Sequence, residues 1–202
     1  MNPPTGLYRR DDRCQSKVED QTVQIIFPPM ELATLGAVLR ERGAQVRIAD
    51  YPANGGDWAQ YRADLRAWQP DLVLLNVVTA TAERDFQALE TAKEVLGRDR
   101  VLTVARGELM DAIGEQALAS HPDLDFGMCG EIEEVIVRLL DSAPLEDLPG
   151  LIWRRGRDPG AIIRNPGHPL VENLDSLPLP ARDLLDNSLY RSPETGRPLT
   201  VI

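Results

Sequence analysis

The alternation of short apolar runs with helix-like segments between residues 28 and 142 constrains the fold of this chain more than any other feature. Four runs are typical of β-strands, namely AQVRIAD (44–50), PDLVLLNVV (70–78), RVLTVA (100–105) and DLDFGMC (123–129). Strands joined by helices of this length form βαβ units, which build a parallel sheet with helices on both faces. We therefore predict an α/β fold, a flavodoxin-like or Rossmann-like mostly parallel sheet.

Apolar residues at helical spacing predict helices around these strands. The predicted helices cover residues 28–43, 56–68, 79–97, 107–120 and 131–142. A first strand should precede the helix at residue 28, and two segments are candidates. TVQIIF (22–27) runs directly into that helix, whereas a strand ending at Asn2 would lie mostly upstream of this chain.

The pattern changes after Pro144. LPGLIWRRG (148–156) and AIIRNPG (161–167) flank the turn signal RDPG, so we predict a β-hairpin. A proline-punctuated connector, ENLDSLPLPARDLLD (172–186), follows it. We divide the chain into an α/β ligand-binding domain at 1–147 and a hairpin with an interdomain linker at 148–202. Because the second part has few apolar residues, we expect it to dock on a neighbouring domain.

Three loops follow predicted strands at the edge where open α/β sheets bind ligands. Their residues are small, hydroxylated or glycine, and such residues allow the backbone to approach a large ligand. The candidate site residues are Thr79, Ala80, Thr81, Arg106, Gly107, Gly130 and Glu131. The alternative is that the threonines cap a helix and that both glycines belong to ordinary turns. Neither GxGxxG nor GxxxxGK[ST] follows a strand, so the dinucleotide and P-loop fingerprints are missing.

Charge and composition exclude several classes of partner. The net charge of −10 argues against nucleic-acid binding, which needs a basic surface. No apolar run is as long as about 18 residues, and the polar N-terminus lacks a signal-peptide pattern. We therefore expect a cytoplasmic protein that contacts neither nucleic acid nor a membrane. Cys14 and Cys129 have no disulfide or metal-ligand spacing; we expect a solvated thiol at Cys14 and a small core residue at Cys129.

Several stretches resemble the N-terminal domain of cobalamin-dependent radical S-adenosylmethionine enzymes. NPP (2–4) is similar to the turn after that family's first strand, and the residues from PPMELA to LRERG (28–43) are similar to its first helix. PDLVLLNVVTAT (70–81) resembles its third strand and loop, and GEIEEVIVRLL (130–140) resembles its Gly-Glu-x-Glu helix. The most specific similarity is the linker pattern DxLPxPAR at 175–182, and the resemblance covers nearly the whole chain.

The resemblance implies a cobalamin-binding domain that presents the corrin to a radical S-adenosylmethionine barrel. In the family, that barrel binds S-adenosylmethionine and holds a [4Fe–4S] cluster on a CxxxCxxC motif. This sequence contains no CxxxCxxC, so both groups are expected only in a barrel outside it. We therefore interpret the chain as a fragment without the family's first strand and barrel, and we expect it to be inactive alone.

The resemblance also implies roles for individual residues. It places Asn2, Pro3 and Glu131 near the cobalamin. One subset of cobalamin domains supplies a cobalt-ligating His from an Asp-x-His-x-x-Gly motif, and neither His121 nor His168 fits that pattern. Cobalamin is therefore expected to bind without a protein His ligand.

Two classes of function stay open at this point. The first is the cobalamin-binding domain, and the second is a flavodoxin-like regulatory or interaction domain without cobalamin. Flavin binding is a poorer third possibility, because the loops lack the run of Ser and Thr that cradles a flavin phosphate.

Overall fold

The computed structural model describes residues 1–6, 26–156, 161–192 and 194–199. The chain forms two compact units, one built from Met1–Asp57 with Asn173–Ile202 and the other from Trp58–Glu172. The N-terminal and C-terminal stretches belong to one unit, and the domain division at residue 147 stays a prediction. In the described ranges, no helix combines the length and the apolarity that crossing a bilayer requires.

The first unit is organised around helix α1 (Met30–Glu41), which begins after Pro29 as the two prolines predict. A short helix, α2 (Tyr51–Asn54), follows it. The predicted strand at 44–50 is wrong, because only its last residue pairs, in a single parallel bridge between Asp50 and Asn2. The candidate strand TVQIIF lies mostly outside the described residues, and its last two residues, Ile26 and Phe27, are not in a strand.

The connector packs within this first unit. The backbone N–H of Ala181 donates to the carbonyl of Ala33 at 2.9 Å, and Leu185 and Tyr190 join Ala33 in a buried cluster. The Tyr190 hydroxyl donates to the Asp50 carboxylate at 3.0 Å. Leu185 lies in the connector and is buried against residues of its own chain.

The second unit contains the five-stranded sheet, whose strands lie in the order β1-β2-β3-β4-β5. The strands are β1 (Leu72–Asn76), β2 (Leu102–Arg106), β3 (Phe126–Met128), β4 (Leu151–Arg154) and β5 (Ile162–Arg164). The first three are parallel, and the last two are antiparallel. The predicted α/β class with a mostly parallel sheet is therefore confirmed.

The hairpin was predicted, but its position was not. β4 pairs with β3, so the hairpin extends the sheet of its own unit, and the side chains of Leu151, Ile152 and Trp153 are buried. The indole Nε1–H of Trp153 donates to the Asn165 side chain at 3.1 Å, which joins the two strands. Docking of the hairpin on a neighbouring domain stays a prediction. The RDPG turn lies outside the described residues.

Four helices accompany this sheet at the predicted places. They are α3 (Trp58–Trp68), α4 (Ala82–Leu96), α5 (Glu108–Ser120) and α6 (Glu133–Leu140). The Tyr61 hydroxyl on α3 donates to the carbonyl of Ala88 on α4 at 2.9 Å, and burial raises the pKa of Tyr61. Helix α5 has a kink at Ile113, where φ is −135° and ψ is 25°.

A network of hydrogen bonds between polar groups lies at the amino ends of the parallel strands. Buried Lys93 donates to the carbonyls of Arg98 and Val101 and to the Asp125 carboxylate. That carboxylate also accepts from the backbone N–H and the hydroxyl of Thr103. Since buried polar groups need hydrogen-bond partners, these contacts make the amino edge a structural part of the unit.

Candidate functional site

The carboxyl ends of the three parallel strands lie at one level of the sheet. Asn76 is in register with Arg106, and Arg106 is in register with Met128. The loops that carry Thr79–Thr81, Gly107 and Gly130–Glu131 therefore start from the same edge, as the sequence predicted for this unit. Asn2 and Pro3 belong to the other unit, so their proximity to these loops stays a prediction.

The first loop is held by Asp85 from the start of α4. The Thr81 hydroxyl donates to the Asp85 carboxylate at 2.6 Å, and the backbone N–H of Val78 donates to the same oxygen at 3.3 Å. Thr81 is therefore buried and used within the loop, whereas Thr79 is exposed and Ala80 is half-buried. Of the three predicted residues, Thr79 is the one whose side chain faces solvent.

The second loop passes close to the side chain of Asn76. Gly107 has a φ of +112°, and a Cβ there would lie 2.3 Å from Asn76 Oδ1 and 2.7 Å from the carbonyl oxygen of Val77. Glycine is therefore required at 107 by contacts inside the chain. Among the described residues, the buried Oδ1 of Asn76 has no hydrogen-bond partner, and the same holds for the buried Oε2 of Glu133 at the start of α6.

The third loop is covered by a segment that follows the hairpin, residues 168–171, which we call the strap. A Cβ on Gly130, whose φ is +67°, would lie 2.5 Å from the Pro169 carbonyl oxygen and 2.9 Å from His168 Nδ1. The backbone N–H of Glu131 donates to Pro169 at 2.9 Å, and the Glu131 carboxylate accepts from the N–H of Val171. Gly130 and Glu131 therefore contact the strap.

Asp111 connects α5 with both the third loop and the strap. Its Oδ1 accepts from the backbone N–H of Gly130 at 3.1 Å and lies 3.4 Å from His168 Nε2. His168 is thus beside the third loop with its side chain 60% exposed. His121 follows α5, at the other end of that helix, where it stacks on Phe86 with ring centroids 3.9 Å apart and burial lowers its pKa.

Cys129 is a buried residue at the start of the third loop, as predicted. Its side chain is 2% exposed and burial raises the pKa of the thiol to about 11. The thiol sulfur lies 3.2 Å from Arg164 Nη1 and 3.7 Å from the Met110 carbonyl oxygen. Cys14 lies outside the described residues.

Two groups at this edge, Asp111 and His168, were not predicted from the sequence. Asp111 belongs to the first turn of α5, where an acidic residue is expected for helix electrostatics alone. The sequence around His168 is typical of a linker, so it gave no sign of a contact with the third loop. The sequence places Asn76 at the start of the first strand-end loop, but it does not show that the Asn76 oxygen lacks a hydrogen-bond partner there.

One buried acceptor at this edge has no hydrogen-bond partner among the described residues. The Asn76 oxygen is a buried acceptor, and acceptors of this kind are normally satisfied by a partner or by water. In the described ranges, no three His, Cys, Asp or Glu side chains are grouped so as to hold a metal ion.

Comparisons with known proteins support this reading of the fold. No family model matches the chain. A curated protein of Pyrococcus horikoshii described as the uncharacterized methyltransferase PH0819 is 26% identical over 176 residues, which is 87% of this chain and 37% of that protein. The chain thus spans little more than a third of the length of this relative.

Two solved structures share the fold. The apo cobalamin-dependent S-adenosylmethionine radical enzyme OxsB matches 77% of this chain and 22% of its own, with a TM-score of 0.62 and 20% identity. The radical S-adenosylmethionine methyltransferase TsrM from Kitasatospora setae, solved with cobalamin and a [4Fe–4S] cluster, matches 83% of this chain and 32% of its own, with a TM-score of 0.52 and 19% identity. At these identities the likeness shows the fold alone.

Proposed function

We propose that this chain is a cobalamin-binding domain related to cobalamin-dependent radical S-adenosylmethionine enzymes, which presents the corrin to a barrel outside this chain. The observation that carries the proposal is the fold shared with two solved enzymes of that description, one of them containing bound cobalamin. The curated relative supports methyl transfer as the reaction class of a longer parent. The [4Fe–4S] cluster and S-adenosylmethionine would belong to that parent's barrel.

The proposed ligand site is the carboxyl edge of β1, β2 and β3. Thr79 and Ala80 would contact the corrin from the first loop, with Arg106 and Gly107 beside them. Cobalamin would supply a cobalt centre that can carry a methyl group or an electron, whereas the protein supplies binding and orientation. The site would act without a protein His on the cobalt.

The competing function is a flavodoxin-like regulatory or interaction domain without cobalamin. The observation that favours it is the occupation of the third loop, because the backbone N–H and the carboxylate of Glu131 already have partners in the strap. A domain that uses these groups for its own packing offers fewer of them to a ligand.

The test is binding of hydroxocobalamin to the purified chain, followed by gel filtration to remove unbound cofactor. We expect the corrin absorption band to elute with the protein. A Gly107→Ala variant should bind more weakly, because the new Cβ displaces the Asn76 side chain. If the unsubstituted chain elutes without the band, the cobalamin proposal fails and the competing function is favoured.

Gly97→Ala is the matched control for this experiment. Gly97 also has a φ in the left-handed range, +101°, but it lies at the end of α4 and its Cβ would meet nothing closer than Arg100 Cβ at 3.9 Å. Both variants therefore carry backbone strain of order 1–3 kcal/mol. A loss of binding in both would indicate general destabilisation; a loss in Gly107→Ala alone would assign it to the carboxyl edge.

A further inference from the structure

We infer that Arg164 is a positioning residue for the third loop of the proposed site, and that it acts through Asp111 at the kink of α5. The inference rests on the proposed function for its effect on a ligand. Its structural part, the placement of the Gly130 backbone, stands on contacts within one unit. The sequence showed Arg164 only as a residue of the hairpin.

The Arg164 guanidinium lies at the kink of α5. Nη1 donates to the Asp111 carbonyl and Nη2 to the Met110 carbonyl, both at 3.0 Å. Ile113, the residue of α5 with non-helical backbone angles, lies two positions after Asp111. Helices kink where a side chain inserts into the ladder of backbone hydrogen bonds, and the guanidinium fork supplies such an insertion.

The same guanidinium touches the third loop and a carboxylate. Nη1 lies 3.2 Å from Cys129 Sγ, and Nη2 lies 2.6 Å from the Glu115 carboxylate. The Glu115 carboxylate offsets the positive charge of the guanidinium. Arg164 in turn holds the pKa of Glu115 below its usual range, chiefly through this hydrogen bond. Arg164 thus joins β5, the kink of α5 and the residue that precedes Gly130.

Asp111 connects the Arg164 guanidinium to the backbone of Gly130. Arg164 holds the Asp111 carbonyl, while the Asp111 carboxylate accepts from the Gly130 N–H at 3.1 Å. Gly130 cannot shift toward the strap, because even a Cβ there would meet the Pro169 carbonyl at 2.5 Å. The loop is therefore fixed from one side by Asp111 and from the other by the strap.

Close packing beneath the kink limits how far the backbone of α5 can move. Gly114 follows Ile113, and a Cβ there would lie 2.1 Å from Ile152 Cδ1 and 3.3 Å from Arg164 Nη2. The helix backbone therefore lies directly on β4 and on the guanidinium. Because a packed interior has few voids, a change in the kink requires the Ile152 or the Arg164 side chain to move.

The experiment compares Arg164→Gln with Glu115→Gln in the full chain. A glutamine cannot donate to both carbonyls as the guanidinium fork does, whereas Glu115→Gln leaves every carbonyl contact in place. The first readout is hydrogen exchange of the Gly130 amide, which needs no ligand. The second is the dissociation constant for hydroxocobalamin.

We expect Arg164→Gln to speed exchange of the Gly130 amide and to weaken hydroxocobalamin binding by about tenfold, the effect of losing one hydrogen bond. Glu115→Gln should change neither. Unchanged exchange and affinity in Arg164→Gln would overturn the inference. Faster Gly130 exchange in Arg164→Gln, together with no hydroxocobalamin binding even by the unsubstituted chain, would support the positioning of the loop while the proposed function fails.

Asp111 supplies a second pair of variants in case Arg164→Gln does not fold. Asp111→Asn keeps an oxygen acceptor for the Gly130 N–H, whereas Asp111→Ala removes it. The Asp111 side chain is 35% exposed, so neither change creates a buried cavity. The inference requires faster Gly130 exchange in Asp111→Ala and protection in Asp111→Asn; equal exchange in the two variants would overturn it.

Discussion

At the residue scale, the Cys129 thiol is buried at the start of the third loop, and we expect this burial to slow its reactions. Burial raises the pKa of this thiol to about 11, although the nearby Arg164 charge acts in the opposite direction. The thiolate is the reactive form, so a raised pKa leaves little of it at pH 8. In a Cys14→Ser background, where Cys129 is the remaining thiol of the sequence, we expect iodoacetamide to label the native chain far more slowly than the chain in urea. Equal rates in the two states would contradict the burial.

At the element scale, the contact between α5 and β4 depends on the missing side chain at 114. Alanine is favoured over glycine by about 1 kcal/mol in an open helix. At Gly114, however, the new Cβ would lie 2.1 Å from Ile152 Cδ1, and overpacking of a core costs about 1–3 kcal/mol. We therefore expect Gly114→Ala to lower the free energy of unfolding in urea.

Ile152→Val is the partner variant, since it removes the Cδ1 that a Cβ at 114 would meet. The double variant should be more stable than the sum of the single effects predicts, with a coupling of about 0.5–3 kcal/mol for residues in contact. Strict additivity would show that the helix moves away from β4 and that the kink does not fix its position.

The elements also show which parts of the fold and the site were predictable. β1, β2 and β3 carry apolar runs whose burial is a local property, so the sequence predicts them and the edge that they form. The segment at 44–50 has a similar run, but a strand needs a partner, and only Asp50 pairs. The strap over Gly130 was not predictable, because its contacts come from backbone groups of residues whose sequence is typical of a linker. The contact of Gly130 with the Asp111 carboxylate was not predictable either, because Asp111 lies 19 positions before Gly130 in the sequence.

At the scale of the whole chain, the N-terminal and C-terminal stretches build one unit, so part of the connector is core. Leu185 packs with Ala33 of α1 and with Tyr190, and is 8% exposed, whereas Leu179 is 90% exposed. We expect Leu185→Ala to lower the free energy of unfolding by about 2–5 kcal/mol, as for other buried leucines. Leu179→Ala, the matched control, should change it by no more than about 0.5 kcal/mol. Urea unfolding of both variants checks this, and a tolerated Leu185→Ala would mean that the connector does not pack on α1 and is free to dock elsewhere, as its sequence suggested.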